Sequence, residues 1–317
     1  MKRSNLSLLL LAAILLIGCD GPSDLSSSIP DDSSSESIGD TSSGWSHEIP
    51  TSETTPATPY AGEGATAYYE TIPNVDVLQG SNLAAALRKK GRDVFQGKTY
   101  TQAIDAIIEM DIDLNNPDYV IGVYSRLRIP VNKRQTNVNT QIVGYWNREH
   151  CYPQSKLADG DDSKRADAQR VNISSDIANL FAEDVTVNEA RSNNSFNNLD
   201  KTAERFFVKD GHGNTTDNYN WMGFFEPTDL AKGEAARANL YMHLMYPDEC
   251  AVGENGPIHV FLEWNLQFPP NVERDQLRNQ TIFKYQKNRN PFIDDPDFGC
   301  RIWGDTNKLT RAVCGLE

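Results

Sequence analysis

A short segment near the middle of the chain places a carboxylate beside an imidazole. Residues 145–155 read YWNREHCYPQS, so Glu149 directly precedes His150 among large side chains of the kind found at interfaces. Histidine transfers protons near neutral pH because its ordinary pKa lies close to that pH. A carboxylate is a good ligand for a hard divalent cation. A base and a metal ligand together are the minimum equipment for metal-assisted hydrolysis.

Two further segments have the same density of polar side chains. Residues 188–193 read NEARSN and residues 286–294 read QKNRNPFID, both rich in amides and basic groups. Mg²⁺ prefers a few oxygen ligands and keeps several of its waters, so one carboxylate and one amide oxygen are sufficient to bind it. A histidine that is not a ligand can then deprotonate an attacking water while the metal stabilises charge on a phosphate.

Taken singly, each segment also fits an ordinary structural role. A Glu-His pair is common, and its ordinary setting is a solvated loop in which hydrogen bonds satisfy the histidine. Neighbours on a regular strand also point to opposite faces. Asn188 and Asn193 are of a residue type common in turns. Arg289 is more often a surface or ion-paired arginine than a phosphate ligand, although its planar guanidinium suits phosphate oxygens. At the level of single residues, both interpretations stay open.

The elements that must position these segments are a mixture of strands and helices. Residues 119–129 have the β-branched and aromatic content of a strand, and residues 142–146 predict a second strand that leads into the Glu-His pair. The spacing of apolar residues predicts three helices, over 81–97, 228–246 and 272–285. The methionines of the second helix are expected in the core. The predicted fold class is therefore α+β, a helix-rich single domain with a few short strands around the candidate site.

The N-terminus is typical of a lipoprotein signal. A charged start and a short apolar run end in Leu-Ile-Gly-Cys, the box at which bacterial prolipoproteins are lipidated on cysteine and cleaved before it. The run is too short to span a bilayer as a helix, so cleavage is favoured over a transmembrane anchor. The mature chain is expected to begin at Cys19, whose acyl chains would hold it to a membrane surface.

The residues that follow the signal predict a disordered acidic tether. They are mostly Ser, Thr, Pro, Asp and Glu, with too few bulky apolar side chains to offset the entropy of ordering. The tether carries most of the formal net charge of −14, because residues 88–317 contain 28 basic and 33 acidic side chains. A mildly acidic folded part argues against a DNA-coating protein but permits a local basic cleft. The predicted divisions are 1–18 for the signal, 19–64 for the tether and 65–317 for the domain.

The cysteine count suggests disulfides. Four cysteines remain besides Cys19, and an even number in an exported chain allows two disulfides in three possible pairings. The pairing that we favour joins Cys300 to Cys314 and Cys151 to Cys250. Four free buried thiols are the alternative, since cysteine packs well in cores.

Several longer motifs contain or accompany the polar segments. They are Trp-Asn-Arg-Glu-His at 146–150, Asp-Ile-Ala-Asn-Leu at 176–180, Arg-Ser-Asn at 191–193 and Asn-Arg-Asn-Pro-Phe-Ile-Asp at 288–294. In their order and residue sequence these motifs resemble the bacterial endonuclease I family, whose members are secreted or periplasmic nucleases with a ββα-metal core. The resemblance extends from about Tyr68 to Pro296.

This resemblance implies a catalytic site and a substrate. His150 is expected to be the general base, with Glu149 and Asn188 binding one Mg²⁺ ion per site. The implied reaction is hydrolysis of phosphodiester bonds in DNA, with RNA as a further candidate substrate. Little sequence preference is expected, and the products should carry 5′-phosphates. The arginine that steadies the phosphate is expected to be Arg170 or Arg191. Further substrate contacts are expected from Arg148, Asn193 and Arg289.

Three positions depart from the family pattern. Ala178 stands where a histidine or tyrosine is usual, Lys287 where a glycine is usual, and Cys151 where an apolar residue is usual directly after the base. None of them removes an expected base or metal ligand. The alanine puts a supporting contact in question, and the cysteine offers a way to rigidify the site through a disulfide.

The leading hypothesis is a monomeric, exported, Mg²⁺-dependent and non-specific endonuclease. It would be lipid-anchored to the cell membrane, facing outward or the periplasm, and would degrade external nucleic acid. The alternative is a lipoprotein on the same fold that binds nucleic acid in a salt-sensitive manner without cutting it. A third hypothesis is a different metal-assisted hydrolase, such as a phosphatase.

Overall fold

A computed structural model of the chain describes residues 62–136 and 142–316, apart from the side chain of Ala158. Cys19, the predicted signal and nearly all of the predicted tether lie outside these ranges, so the lipid anchor stays a prediction. Within the described ranges, no helix is long and apolar enough to cross a membrane.

Helices are more abundant than strands in the described structure, and the mixture of the two fits the predicted α+β class. They are α1 (Ala65–Tyr69), α2 (Gly80–Val94), α3 (Ala103–Asp111), α4 (Gln154–Ala158), α5 (Val185–Arg191), α6 (Asp229–Met245), α7 (Ile258–Gln267), α8 (Arg274–Gln286), α9 (Pro291–Asp294), α10 (Asp297–Trp303) and α11 (Lys308–Val313). The three predicted helices correspond to α2, α6 and α8, with ends displaced by at most a few residues.

The strands of the described residues are short and form three small sheets. They are β1 (Tyr119–Ile121), β2 (Arg128–Pro130), β3 (Trp146–His150), β4 (Leu180–Asp184), β5 (Ser195–Phe196), β6 (Phe207–Lys209), β7 (Thr215–Trp221) and β8 (Phe224–Glu226). β1 pairs with β2 and β3 pairs with β4, both antiparallel. The third sheet has the order β5-β8-β7-β6, in which β5 runs parallel to β8 and the other pairs are antiparallel.

The centre of the fold is α6, which is buried along almost its whole length. Its alanines allow close approach of the neighbouring helices α2, α7 and α9. Met242 and Met245 are 0% and 2% exposed, so the prediction of core methionines is confirmed. Arg237, a buried polar side chain of α6, donates to both carboxylate oxygens of Asp275 at 3.0 Å. The predicted helix over 228–246 is confirmed to within one residue at each end.

The unit formed by β3, β4 and α5 positions the candidate site. β3 and β4 pair along their full length, from Trp146 opposite Asp184 to His150 opposite Leu180. α5 begins directly after β4 because the Asp184 carboxylate accepts hydrogen bonds from the first backbone N–H groups of the helix at 3.1 Å. A negative charge at this end also interacts favourably with the helix dipole. β4 therefore leads directly into α5, with no loop between them.

The predicted strand over residues 119–129 is wrong as a single element. The chain reverses between β1 and β2, and Arg126 adopts a left-handed conformation in the turn, with φ 56°. The buried carboxylate of Glu183 holds this turn by accepting the backbone N–H of Ser125 at 3.2 Å. The second predicted strand, 142–146, is displaced along the chain. The strand occupies 146–150, so the Glu-His pair lies inside it.

One of the two predicted disulfides is present. Cys300 and Cys314 are bonded, whereas Cys151 and Cys250 are buried free thiols, so the prediction that they pair is wrong. The sulfur of Cys151 faces α6 instead, where it accepts a hydrogen bond from Asn239 Nδ2 at 3.4 Å. Since the thiol is buried and hydrogen-bonded, it packs as a small core residue.

The other two departures from the family pattern have simple structural settings. Lys287 ends α8 in the left-handed region, with φ 67°, which costs a residue with a side chain about 1 kcal/mol relative to glycine. Ala178 is buried in a single 3₁₀ turn, Ile177–Asn179. Its backbone N–H donates to the Asp176 carboxylate at 3.0 Å, so this turn is held without any help from the side chain at 178.

Buried His243 on α6 is expected to make stability sensitive to acid. Its side chain is 2% exposed, Nδ1–H donates to the carbonyl oxygen of Cys250 at 2.8 Å, and Nε2 has no hydrogen-bond partner among the described residues. Burial lowers the pKa of His243 from 6.5 to about 4. Between these two values the unfolded chain binds more protons than the folded chain, so stability is lost as the pH falls, by about 3 kcal/mol at pH 4.

Urea unfolding at pH 7 and pH 4 tests this expectation. His243→Gln removes the titrating group and keeps a polar side chain of similar size. The free energy of unfolding of the native chain minus that of the variant is expected to fall by about 3 kcal/mol between the two pH values. A difference that does not change with pH would show that folding leaves the pKa of His243 at its unfolded value.

Candidate active site

A cleft of about 320 Å³ lies at the end of β3, beside α5. Three parts of the chain form its walls: the end of β3, the turn into α4, and α5 with the residues after it. The lining residues are Arg148, Glu149, His150, Pro153, Gln154, Ser155, Asn188, Ser192 and Asn193. Two of the three polar segments that stand out in the sequence therefore meet here. The third, residues 286–294, does not line this cleft.

Glu149 and His150 both face the cleft although they are neighbours on a strand. His150 is the last residue of β3, and the chain bends directly after it. Glu149 is only 2% exposed, whereas His150 is half-buried. The carboxylate is therefore the more deeply placed of the two groups.

The contacts of His150 fix its tautomer. Nε2 lies 2.9 Å from the carbonyl oxygen of Ser174, and because that oxygen can only accept, Nε2 carries the proton and Nδ1 keeps a lone pair. Burial lowers the pKa of His150 to about 4, and the charges of Arg148 and Arg191 act in the same direction, against the hydrogen bond to Ser174. At neutral pH the imidazole is neutral and able to accept a proton at Nδ1.

Tyr100 is the stacking partner of the imidazole. The two rings are nearly parallel, at 22°, with centroids 5.5 Å apart. The guanidinium of Arg148 lies 3.3 Å from the centroid of the same tyrosine ring and donates a hydrogen bond to the Tyr100 carbonyl. His150 is thus held both by a hydrogen bond at Nε2 and by a ring that restricts its rotation.

Loss of the Tyr100 ring is expected to impair proton transfer by His150, the predicted base, without weakening substrate binding. Tyr100→Leu is expected to lower kcat by about tenfold, the upper range for one aromatic contact, with KM little changed. It also opens the site to water, so the pKa of His150 should rise and the acid limb of the pH–rate profile should move to higher pH.

Two further variants complete this test. Tyr100→Phe keeps the ring and should retain nearly native kcat, whereas Tyr119→Leu, a half-buried tyrosine outside the cleft, should change neither kcat nor the pH profile. An acid limb that stays in place in Tyr100→Leu would mean that the tyrosine does not act on the imidazole.

Glu149 is oriented by two neighbours. The Tyr124 hydroxyl donates to Oε1 at 2.9 Å, and Arg191 Nε lies 3.4 Å from the same oxygen. Burial raises the pKa of Glu149, whereas the charge of Arg191 and the hydrogen bond from Tyr124 lower it. A divalent cation in the cleft would favour the ionised carboxylate further.

Arg191 is completely buried beneath the cleft. Its Nη2 donates to the carbonyl oxygen of Cys151 at 2.6 Å and its Nη1 donates to that of Ser192 at 2.8 Å. Its guanidinium also lies 4.8 Å from the ring centroid of Phe196. A guanidinium enclosed in this way has no open side for a phosphate. The placement argues against direct phosphate contact and makes Arg191 the counter-charge of Glu149.

Asn188 reaches the cleft from the middle of α5 in a defined orientation. Its Nδ2 donates to Asn147 Oδ1 at 2.6 Å. With Nδ2 engaged, Oδ1 is the atom that remains to bind a cation or a water. The pairing also connects α5 to β3, so the amide and the carboxylate of Glu149 are carried by directly linked elements.

The oxygens of the cleft fit a hard cation that keeps part of its water shell. Glu149 supplies a carboxylate and Asn188 an amide oxygen, the ligand types that Mg²⁺ accepts in small numbers. Across residues 62–136 and 142–316, no three His, Cys, Asp or Glu side chains cluster as a metal cage. A metal bound here would rely on water and on substrate oxygens to complete its coordination.

The structure places some of the remaining predicted site residues at the cleft and the others away from it. Arg148 and Asn193 line the cleft. Arg170 is exposed and pairs with Asp167 at 3.0 Å, outside the lining. Arg289 is 3% exposed and donates to both carboxylate oxygens of Asp294 at 2.7 Å. Because a buried, doubly paired guanidinium is closed to solvent, this placement argues against a substrate contact by Arg289.

Three contacts of the site were not foreseen. Ser174 acts through its backbone carbonyl, which no side-chain pattern reveals. Tyr100 lies far from His150 in the sequence and has no distinguishing neighbours. Tyr124 stands in a segment with the composition of a strand, where a core tyrosine is the ordinary expectation.

Comparison with known proteins decides the family. Residues 79–297 match the sequence model of Endonuclease I. The chain belongs to the endonuclease I family. It is therefore a nuclease, a hydrolase of phosphodiester bonds, in a family whose members are generally metal-dependent.

Two relatives are similar over most of their length. An extracellular ribonuclease of Bacillus subtilis (strain 168) is 35% identical over 266 residues, which cover 78% of this chain and 81% of the relative. An extracellular ribonuclease of Bacillus amyloliquefaciens is 32% identical over 242 residues, which cover 71% of this chain and 74% of the relative. This endonuclease I family member is thus similar to two extracellular ribonucleases over more than two thirds of its length.

Proposed function

We propose that this protein is a membrane-tethered, Mg²⁺-dependent, non-specific endonuclease that hydrolyses DNA and RNA outside the cell to 5′-phosphate products. The observation that carries the proposal is the meeting of His150, Glu149 and Asn188 at one cleft. RNA joins DNA as a substrate because both relatives are named ribonucleases. A protein that only binds nucleic acid would have no need of a buried carboxylate beside a neutral base.

In this proposal β3, β4 and α5 are the ββα-metal core. The first strand contributes Glu149 and His150, the second strand pairs with it, and the helix contributes Asn188. Glu149 and Asn188 would hold the Mg²⁺ ion. When bound, that ion neutralises charge on the phosphate and on the departing oxygen.

The residues of the cleft then have separate tasks. His150 accepts the proton of the attacking water at Nδ1, and the Ser174 carbonyl stabilises the resulting imidazolium through Nε2–H. Arg191 keeps Glu149 ionised and oriented. Arg148 lines the cleft and is the arginine best placed to meet the phosphate, with exposed Arg170 as the second candidate.

The N-terminus supports the proposed location. The predicted signal and lipidation site at Cys19 would export the chain and anchor it, and the tether over 19–64 would let the domain reach long polymers. Both relatives are named extracellular enzymes. Cys19→Ala is expected to move the protein from the membrane fraction to the soluble fraction.

The purified full-length chain, acting as a monomer, should degrade supercoiled plasmid and single-stranded RNA with Mg²⁺ present. EDTA should abolish both activities, and readdition of Mg²⁺ should restore them. The products should carry 5′-phosphates, detected by direct ligation without prior phosphorylation. Binding without cleavage in any divalent metal would overturn the proposal, and turnover of a small phosphate ester with both polymers intact would point to a phosphatase.

A further inference from the structure

The hairpin between β7 and β8 exposes large apolar side chains. Trp221, Met222 and Phe224 are 40%, 79% and 37% exposed. Met222 and Gly223 form the turn with positive φ angles of 47° and 83°, as in a two-residue hairpin. Trp221 and Phe224 are directly paired across the two strands, so their rings lie on the same face of the sheet.

The apolar face continues onto a neighbouring aromatic and a cation. Phe206 meets Trp221 edge to face, with ring centroids 4.3 Å apart. The guanidinium of exposed Arg205 lies 4.7 Å from the centroid of the Phe206 ring. We call the set Arg205, Phe206, Trp221 and Phe224 the aromatic tip. A cluster of partly exposed rings beside an arginine is the composition of a surface on which nucleobases stack.

The backbone of the aromatic tip lies close to that of the active-site cleft. Ser195 lies opposite Phe224 in the sheet, and its N–H donates to the carbonyl oxygen of Gly223 at 3.0 Å. Ser195 is two residues from Asn193, which lines the cleft. Two residues along the chain and one step across the sheet place the Cα atoms of Asn193 and Phe224 at most about 12 Å apart. A strand held in the cleft therefore passes within a few nucleotides of the tip.

We propose that the aromatic tip stacks on an unpaired nucleobase of the strand held in the cleft, and so gives the enzyme a preference for single-stranded nucleic acid. The inference rests on the proposed nuclease function. Stacking is tolerant of sequence because every base has a π-face, which agrees with a non-specific enzyme. In a duplex those faces are covered by neighbouring base pairs, so only an unpaired nucleotide can occupy the tip. Arg205 adds a positive charge for the backbone.

An apolar hairpin on a tethered protein could instead enter a membrane. Two observations favour nucleic acid: the sheet contact between Phe224 and the segment that lines the cleft, and the arginine held against the aromatic rings.

Binding in EDTA separates the tip from catalysis. The probes are a short fluorescent single-stranded oligonucleotide and the duplex of the same sequence, with full-length protein. Trp221→Leu keeps an apolar side chain but removes the aromatic face, and it is expected to weaken single-strand binding about tenfold. Duplex binding should change by less than about twofold, since no base face is exposed there. Trp221→Phe keeps an aromatic face and should stay close to native affinity.

Phe283→Leu is the matched control, because Phe283 is 41% exposed on α8 and does not line the cleft. It should leave both affinities unchanged. Equal losses on single strand and duplex, or no loss in Trp221→Leu when its melting temperature is native, would overturn the inference. Weaker binding of that variant to anionic lipid vesicles, with oligonucleotide binding unchanged, would assign the tip to the membrane and overturn it as well. Wild-type protein that cleaves no nucleic acid would refute the nuclease proposal, whereas the affinity ratio in EDTA reports on the tip alone.

Discussion

His150→Ala is expected to lower kcat for phosphodiester hydrolysis by about 10²–10⁴-fold, the usual contribution of a positioned general base. KM should change little, because the imidazole is not among the oxygen donors proposed to hold the metal and the phosphate. His150→Asn preserves a polar side chain but removes the basic nitrogen, so it should lose as much activity as the alanine variant. Plasmid cleavage under single-turnover conditions measures the chemical step directly.

The pH dependence of the rate is the second readout for the same residue. Because burial lowers the pKa of His150 to about 4, the native enzyme should remain active in mildly acidic buffer and lose activity as the pH falls through that value. A protonated imidazole has no lone pair left to accept the proton of water. The residual activity of His150→Ala should lack this acid limb. Full activity in the variant would remove the imidazole from the mechanism.

The residues proposed for the site could be recognised by side-chain type. Glu149, His150 and Asn188 are a carboxylate, an imidazole and an amide in motifs whose order is specific, and the structure brings them to one cleft. The environment of the arginines was not predictable. Arg191 and Arg148 look equally available in the sequence, yet one is completely buried and the other lines the cleft. Burial depends on which distant elements enclose a side chain, and local sequence does not contain that information.

The fold likewise has parts that the sequence predicts and parts that it does not. α6 was predictable because its apolar spacing, its length and the proline that follows it all indicate one helix. The break between β1 and β2 was not, since residues 119–129 have strand composition throughout. The turn there is held by Glu183, a carboxylate on β4 that is distant in sequence. Likewise, an even number of cysteines permits a Cys151–Cys250 bond, but only the packing of Cys151 against α6 shows that its sulfur has another partner.

Arg191→Met is expected to be among the most damaging single substitutions in this chain. It removes the counter-charge of Glu149, which is 2% exposed and lies 3.4 Å from Arg191 Nε. Leaving one member of a buried ion pair uncompensated typically costs about 3–5 kcal/mol of unfolding free energy. The pKa of Glu149 should rise as well, because in the native protein the charge of Arg191 lowers it. A protonated carboxyl binds Mg²⁺ poorly, so affinity for the ion should fall together with stability.

Arg170→Met is the matched control, since Arg170 is exposed and pairs only at the surface with Asp167. It should change the free energy of unfolding by less than about 0.5 kcal/mol. The double variant Arg191→Met, Glu149→Gln should recover part of the stability lost in Arg191→Met, because the uncompensated charge is gone, while Mg²⁺ binding by calorimetry stays lost. An Arg191→Met protein that unfolds like the native one and binds Mg²⁺ normally, but turns over slowly at saturating substrate, would instead place this guanidinium on the phosphate. The closed packing of Arg191 between the carbonyl oxygens of Cys151 and Ser192 argues for the first outcome.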